Sequence, residues 1–210
     1  MDHATFEENL ERNPLRMWVR ERYEVKPLRD AAPPTGIDRA LHYCCRNGTG
    51  TALLHKYFSP ARTAAVDPDE AMVNQARERV AGLPVDLSVG SLTRLAFADA
   101  SFDAVFVLGE LHNYPEWRDC VAEIARVTQP GGLLLIEELS AESFEYGLGR
   151  YFRDRTEHDY GSMLRLGEFV DFVRSSGFEI LRLRKPVPFG LFRYFVLAAR
   201  KTGAARRLTS

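Results

Sequence analysis

The stretch SFDAVFVLGELHNY, residues 101–114, decides the fold. From Phe102 to Leu108 it is apolar apart from Asp103, as expected for a strand buried on both faces of a parallel sheet. Gly109 ends the run, and Glu110, His112 and Tyr114 then bring titratable groups to the carboxyl end of that strand. Downstream, Pro115 to Val127 predicts a helix, with Trp117, Val121, Ile124 and Ala125 at helical spacing. Pro130-Gly131-Gly132 reads as a turn, and Leu133 to Ile136 as the next buried strand.

The same alternation runs upstream. Ile37 to Tyr43 reads as a strand, followed by a glycine loop and a helix through Thr51-Ala52-Leu53-Leu54. Thr63 to Val66 is a strand ended by Asp67-Pro68. Asp69 to Val80 is a helix with Ala71, Met72, Ala76 and Val80 on one side, and Leu83 to Val89 is a third strand. Repeated strand–helix units imply a parallel sheet covered by helices on both faces, with right-handed crossovers. Before this core, Asn13 to Val25 predicts a helix: Asn13 caps it, Pro14 suits its first turn, and Leu15, Trp18, Val19 and Tyr23 form an apolar stripe. Arg16, Arg20 and Arg22 read as its solvated face. Residues 1–35 are thus expected to form a helical lid segment, joined through 31–36 to a domain over 36–203. Within that domain, residues 140–165 read as a lid insertion. Gly167 to Ser175 follows as a helix, and Phe178 to Leu183 with Phe192 to Ala199 as a strand pair.

Composition narrows the function. A chain of 210 residues suits one domain, and its net charge of −1 gives no pull toward nucleic acid or anionic lipid. No nucleic-acid partner is expected. No membrane partner is expected either, since no apolar run approaches the ~20 residues that span a bilayer. The polar start is unlike a secretory signal, and three cysteines suit a reducing compartment, so the cytoplasm is the expected location. The oligomeric state stays open, a homodimer included.

Several motifs together carry a resemblance: residues 101–114, EIARVTQPGG at 123–132, Ala65-Val66-Asp67-Pro68 with Met72, and Glu168-Phe169 through Gly177-Phe178. Over about Arg39 to Lys201 the chain resembles the ubiquinone/menaquinone-biosynthesis-like branch of small-molecule, class I S-adenosylmethionine (SAM)-dependent methyltransferases. The resemblance implies an α/β, Rossmann-like doubly wound sheet of seven strands in the order 3-2-1-4-5-7-6, with the last strand antiparallel. It implies SAM as cofactor, held at the carboxyl ends of the strands beside the switch point. The family's first loop carries an acidic residue and then three glycines at alternate positions. Here those positions hold His42, Cys44, Arg46 and Gly48. Side chains at positive φ cost about 1–2 kcal/mol each, so the substitutions are expected to weaken SAM binding. Arg46 either repels the cationic cofactor or clamps its carboxylate.

The resemblance also places Asp67 against the ribose hydroxyls, with Pro68 and Met72 beside it, Ser91 and Leu92 at the adenine, and Leu108 under the cofactor. Asp67 has a second reading as the cap of the following helix. Among Glu110, His112 and Tyr114, His112 is the best general base because it titrates near neutrality. Its other reading is a structural pocket residue. His42 and His112 end adjacent strands and are expected to border one cleft. No metal site is expected, because strand alternation sends Cys44 and Cys45 apart. Glu138, Phe144, Tyr151 and Phe152 would cover the cleft and meet a hydrophobic or aromatic acceptor. Methyl transfer to a small molecule is the leading expectation. The alternatives are a cyclase or isomerase on the same fold, with a reshaped SAM site, and a non-catalytic partner subunit.

Overall fold

In the computed structural model the described residues are 18, 20–33, 36–145, 147–155, 160–185 and 194–203. Among them, seven strands form one sheet: β1 (Arg39–Tyr43), β2 (Arg62–Asp67), β3 (Val85–Val89), β4 (Phe102–Leu108), β5 (Thr128–Leu139), β6 (Phe178–Arg184) and β7 (Tyr194–Lys201). Their order is β3-β2-β1-β4-β5-β7-β6. The first five run parallel, and β7 lies antiparallel between β5 and β6. Order and polarity are those the resemblance implied.

Six α-helices accompany the described strands: α1 (Lys26–Ala31), α2 (Thr49–Phe58), α3 (Glu70–Arg79), α4 (Trp117–Val127), α5 (Gly147–Arg153) and α6 (Leu166–Ser175). Strand alternation splits the core in two. Leu41, Tyr43, Val107, Ile136, Phe195 and Leu197 face α4 and α6, meeting Trp117, Ile124, Phe169 and Val173. Ala40, Phe106, Leu108, Leu135 and Val196 face the other way, meeting Leu28 of α1 and Leu54 of α2. Trp117 packs on Phe169 and Phe172, each 5.6 Å away between ring centroids.

Two expectations change here. The turn at Pro130-Gly131-Gly132 lies inside β5, because the pairing jumps from Phe102↔Thr128 to Ala104↔Leu133. The glycines absorb this irregularity, so the strand bends and continues. Arg20 does not belong to a solvated face. It is buried in a π-helical turn, Arg20–Val25, leading into α1. Its Nε lies 3.5 Å from Glu24, and its Nη2 donates to the Leu108 carbonyl at 3.5 Å. The helix start expected at Asn13 and Pro14, and the first residues expected for the last strand at Phe192, lie outside the described residues. Among the described residues no helix is long and apolar enough to cross a membrane.

Candidate active site

The loop after β1 keeps a glycine-type backbone without the glycines. Cys44, Arg46 and Gly48 are all left-handed, with φ of 56°, 46° and 81°. Two side chains therefore sit where each costs about 1–2 kcal/mol, and the surroundings must hold them there. They do so through the main chain. Cys45 N–H donates to Val66 O at 3.0 Å, and Gly48 N–H to Cys45 O at 3.0 Å. Arg46 N–H donates to Asp67 Oδ2 at 2.7 Å. Asn47 closes the loop by accepting from Thr49 N–H at 3.2 Å and Thr49 Oγ1 at 2.9 Å. Arg79 on α3 holds it from outside, donating to Asn47 O at 3.0 Å and Thr49 Oγ1 at 2.7 Å. Gly48 is required twice, because a Cβ there would also stand 3.0 Å from Ala76 of α3.

Asp67 ends β2 beneath this loop and is 3% exposed. Besides Arg46 it accepts from Asp69 N–H at 3.0 Å and from the Cys44 thiol at 3.5 Å. A carboxylate offers about four acceptor positions, so one remains for a hydroxyl. The helix cap is not Asp67 but Asp69, which accepts from Ala71 N–H at 2.8 Å and Met72 N–H at 3.4 Å. Pro68 is exposed and Met72 half-buried beside it. Ser91 is exposed, with its hydroxyl 3.2 Å from that of Thr93. Leu92 is buried, and its carbonyl accepts from the Tyr43 hydroxyl at 2.5 Å. Leu108 is buried at the end of β4.

On the far side of the loop stand the residues after β4. Arg46 Nη1 lies 3.6 Å from Glu110 Oε2, which joins the two loops. Burial pushes the Glu110 carboxyl up to about 7, against the opposing pull of Arg46 and His112. Tyr114 Oη lies 3.5 Å from Cys44 Sγ. Burial also raises the Cys44 thiol well above its ordinary value, with Glu110 and Asp67 adding to the rise. Cys44 is thus held as a thiol rather than a nucleophile.

His112 is oriented by Glu138. The imidazole Nδ1 is 2.6 Å from Glu138 Oε1. The same buried side chain accepts from the main-chain N–H groups of Leu111 at 2.6 Å, His112 at 3.3 Å and Leu139 at 2.7 Å. A carboxylate ringed by donors accepts from Nδ1–H as well, so Nε2 becomes the basic nitrogen. Glu138, expected to meet the acceptor, makes these four contacts with Leu111, His112 and Leu139.

His42 is corrected too. It is 1% exposed, with Nδ1 2.7 Å from Thr51 Oγ1 of α2 and no hydrogen-bond partner at Nε2. Its ring lies against Gly50. Burial, reinforced by Arg20, lowers its pKa to about 3, so the ring is neutral. Alternation along β1 explains the placement: Leu41 and Tyr43 face α4, which sends His42 to the α2 side. Glu138 stands opposite Phe195 on the α4 and α6 side. The two histidines therefore do not border one cleft.

The residues expected to cover the cleft also divide. Phe144 packs on Tyr160 with ring centroids 4.6 Å apart. Tyr151 is 51% exposed, beneath the Arg155 guanidinium at 3.8 Å. The Phe152 side chain lies outside the described residues. A cavity of about 620 Å³ opens beside Glu138's neighbour Phe195 and is lined also by Ser140, Leu166, Val170, Leu183 and Tyr194. Sequence reasoning missed Arg20, Asn47 and Arg79. Only Asn47 carried a local signal, a turn-forming side chain next to the Gly48 cap of α2 that can accept from the main chain two residues on.

Residues 41–136 match a family profile described as a methyltransferase domain. A fatty-acid O-methyltransferase of Mycolicibacterium smegmatis is 32% identical over 118 residues, 54% of this chain and 42% of that protein. A demethylmenaquinone methyltransferase of Staphylococcus aureus is 34% identical over 104 residues, 49% of this chain and 43% of that protein. The chain thus spans less than half the length of these relatives. Among solved structures, a chain from the complex with the Haloferax volcanii Trm112 methyltransferase activator superposes with a TM-score of 0.74 at 17% identity. That match covers 90% of this chain and 92% of the other, and it shows the shared fold.

Proposed function

We propose, on the premise of a class I methyltransferase-type domain whose profile spans residues 41–136, that this chain transfers a methyl group from SAM to a small apolar acceptor. The observation that carries the reading is the loop after β1, which keeps left-handed turns at 44, 46 and 48 over the buried Asp67. That backbone fits the cofactor, with Asp67 offering its remaining acceptor position to a ribose hydroxyl and the main chain at Ser91 and Leu92 flanking the adenine. When bound, SAM supplies an electrophilic methyl group. The chain's own part is to align the acceptor and take its proton, and alignment supplies most of the rate of an in-line displacement.

His112 Nε2 takes the acceptor's proton, and Glu138 steadies the resulting imidazolium through Nδ1–H. Glu138 is thereby a positioning residue. The acceptor's apolar body occupies the cavity between α6 and the β6–β7 pair, whose volume suits a small molecule. Fatty-acid and demethylmenaquinone methyltransferases among the relatives favour an apolar acceptor. Three buried free thiols support a cytoplasmic setting.

The test is transfer of labelled methyl from SAM to a panel of long-chain fatty acids and hydroxylated naphthoquinones. Label is expected on one class. On a hydroxylated acceptor, which must lose a proton, His112→Ala should lower turnover about 10²-fold at unchanged thermal stability, whereas an already ionised fatty acid should be much less affected. An absence of both SAM binding and label transfer overturns the reading.

A further inference from the structure

We propose that Arg46 and Glu110 together form the subsite for the amino-acid tail of the adenosyl ligand, the guanidinium taking its carboxylate and Glu110 its ammonium. This rests on the adenosyl-binding reading above. The position that carries an acid in the resembling family holds His42, which is neutral, buried and turned to the α2 side. A carboxylate nevertheless reaches the same end of the site from the neighbouring strand. β1 and β4 are paired in parallel, Tyr43 beside Val107, so residues 46 and 110 emerge at one edge of the sheet.

Three observations converge on the pair. Arg46 stands left-handed at φ 46°, where glycine would be unstrained, a local cost that contacts made by its side chain can offset. Its main-chain N–H is fixed on Asp67, which ties the tail end to the ribose end through one residue. The two side chains are 28% and 12% exposed and 3.6 Å apart, a contact between two loops that is shielded but not bidentate. An α-amino-acid zwitterion presents one charge of each sign to such a pair. It can enter between them while each charged group exchanges one opposite partner for another. Arg46 is therefore no bare cation facing a sulfonium once Glu110 3.6 Å away is ionised, which favours binding above about pH 7.

The experiment is calorimetry of S-adenosylhomocysteine, which carries the tail, against 5′-methylthioadenosine, which lacks it. Both are titrated into the parent chain, Arg46→Gly and Glu110→Gln. Glycine suits the backbone at 46, so that variant is expected to fold at least as stably as the parent. The parent should prefer the tailed ligand, and each variant should lose about tenfold or more of that affinity, as expected for a charge-assisted hydrogen bond. Methylthioadenosine affinity should stay within about twofold. Equal parent affinity for the two ligands overturns the subsite while leaving the adenosyl reading intact. So does an Arg46→Gly chain that binds the tailed ligand as well or better, which would make Arg46 a barrier. An equal loss for both ligands overturns it as well, assigning the pair to loop shape. Failure of the parent to bind either ligand removes the adenosyl reading and this proposal together.

Discussion

Glu110 sits in the fold with its carboxyl raised from 4.5 to about 7, mainly because burial strips water from the charged form. A folded value above the unfolded one means stability that is complete below pH 4.5 and lost as pH rises through about 7. The loss amounts to about 3 kcal/mol. His42 behaves oppositely. Its folded value of about 3 lies below the ordinary 6.5, so its contribution is complete above 6.5 and is lost as pH falls toward 3. Unfolding by denaturant between pH 4 and 8 should separate them. Glu110→Gln is expected to gain on the parent as pH rises, by about 2–3 kcal/mol at pH 8 relative to pH 5. His42→Leu is expected to flatten the acid limb alone. A parallel offset of either variant at every pH would refute its assigned titration.

At the scale of elements, α2 enters the site on a glycine whose replacement has an unusual sign. Gly50 lies in the first turn of α2, where alanine would ordinarily stabilise. A Cβ at 50 would stand 2.9 Å from His42 Cε1 and 3.1 Å from Leu108 Cδ1. Gly50→Ala is therefore expected to destabilise by about 1–3 kcal/mol, read as a lowered unfolding midpoint. An unchanged or raised midpoint would mean that α2 shifts freely. The same elements show what the sequence made legible. Phe102–Leu108 was readable as a strand because nearly every residue in it is apolar. The left-handed loop was legible only through the resemblance, whose three glycine positions fall on Cys44, Arg46 and Gly48. His42 was misplaced because β1 is buried on both faces, so alternation alone does not say which face is the cleft. Glu138 was read as a substrate contact because its partners, Leu111 and His112, lie elsewhere in the chain. A carboxylate in a sequence looks the same whether it meets water, ligand or main chain. Arg20 was misread for the same reason, its carbonyl acceptor at Leu108 being distant in sequence.

At the scale of the molecule, β7 is the strand that closes the sheet. It hydrogen-bonds β5 along one edge and β6 along the other, with Leu197 beside both Ile136 and Leu183. Leu197 is fully buried, whereas Leu83, next to the free edge strand β3, is 37% exposed. Leu197→Asp is expected to abolish cooperative unfolding by burying an unpaired charge. Leu83→Asp should shift stability by no more than ~1 kcal/mol. Chemical denaturation of the two variants checks the contrast, and comparable losses would show that the sheet does not depend on its inserted strand.

That insertion sets a timetable for synthesis. A ribosome releases β5 long before β7, and the roughly 60 residues from Leu139 to Lys201 take about 3–12 s at ~5–20 residues per second. For that interval the partner side of Leu133, Leu134, Leu135 and Ile136 is a bare apolar edge, the kind that pairs with other nascent chains. β6 arrives first but finds no seat, since its only strand neighbour among the described residues is β7. β7 thus joins an unpaired β6 to the open edge of β5, and until it arrives that edge can pair with a neighbouring nascent chain.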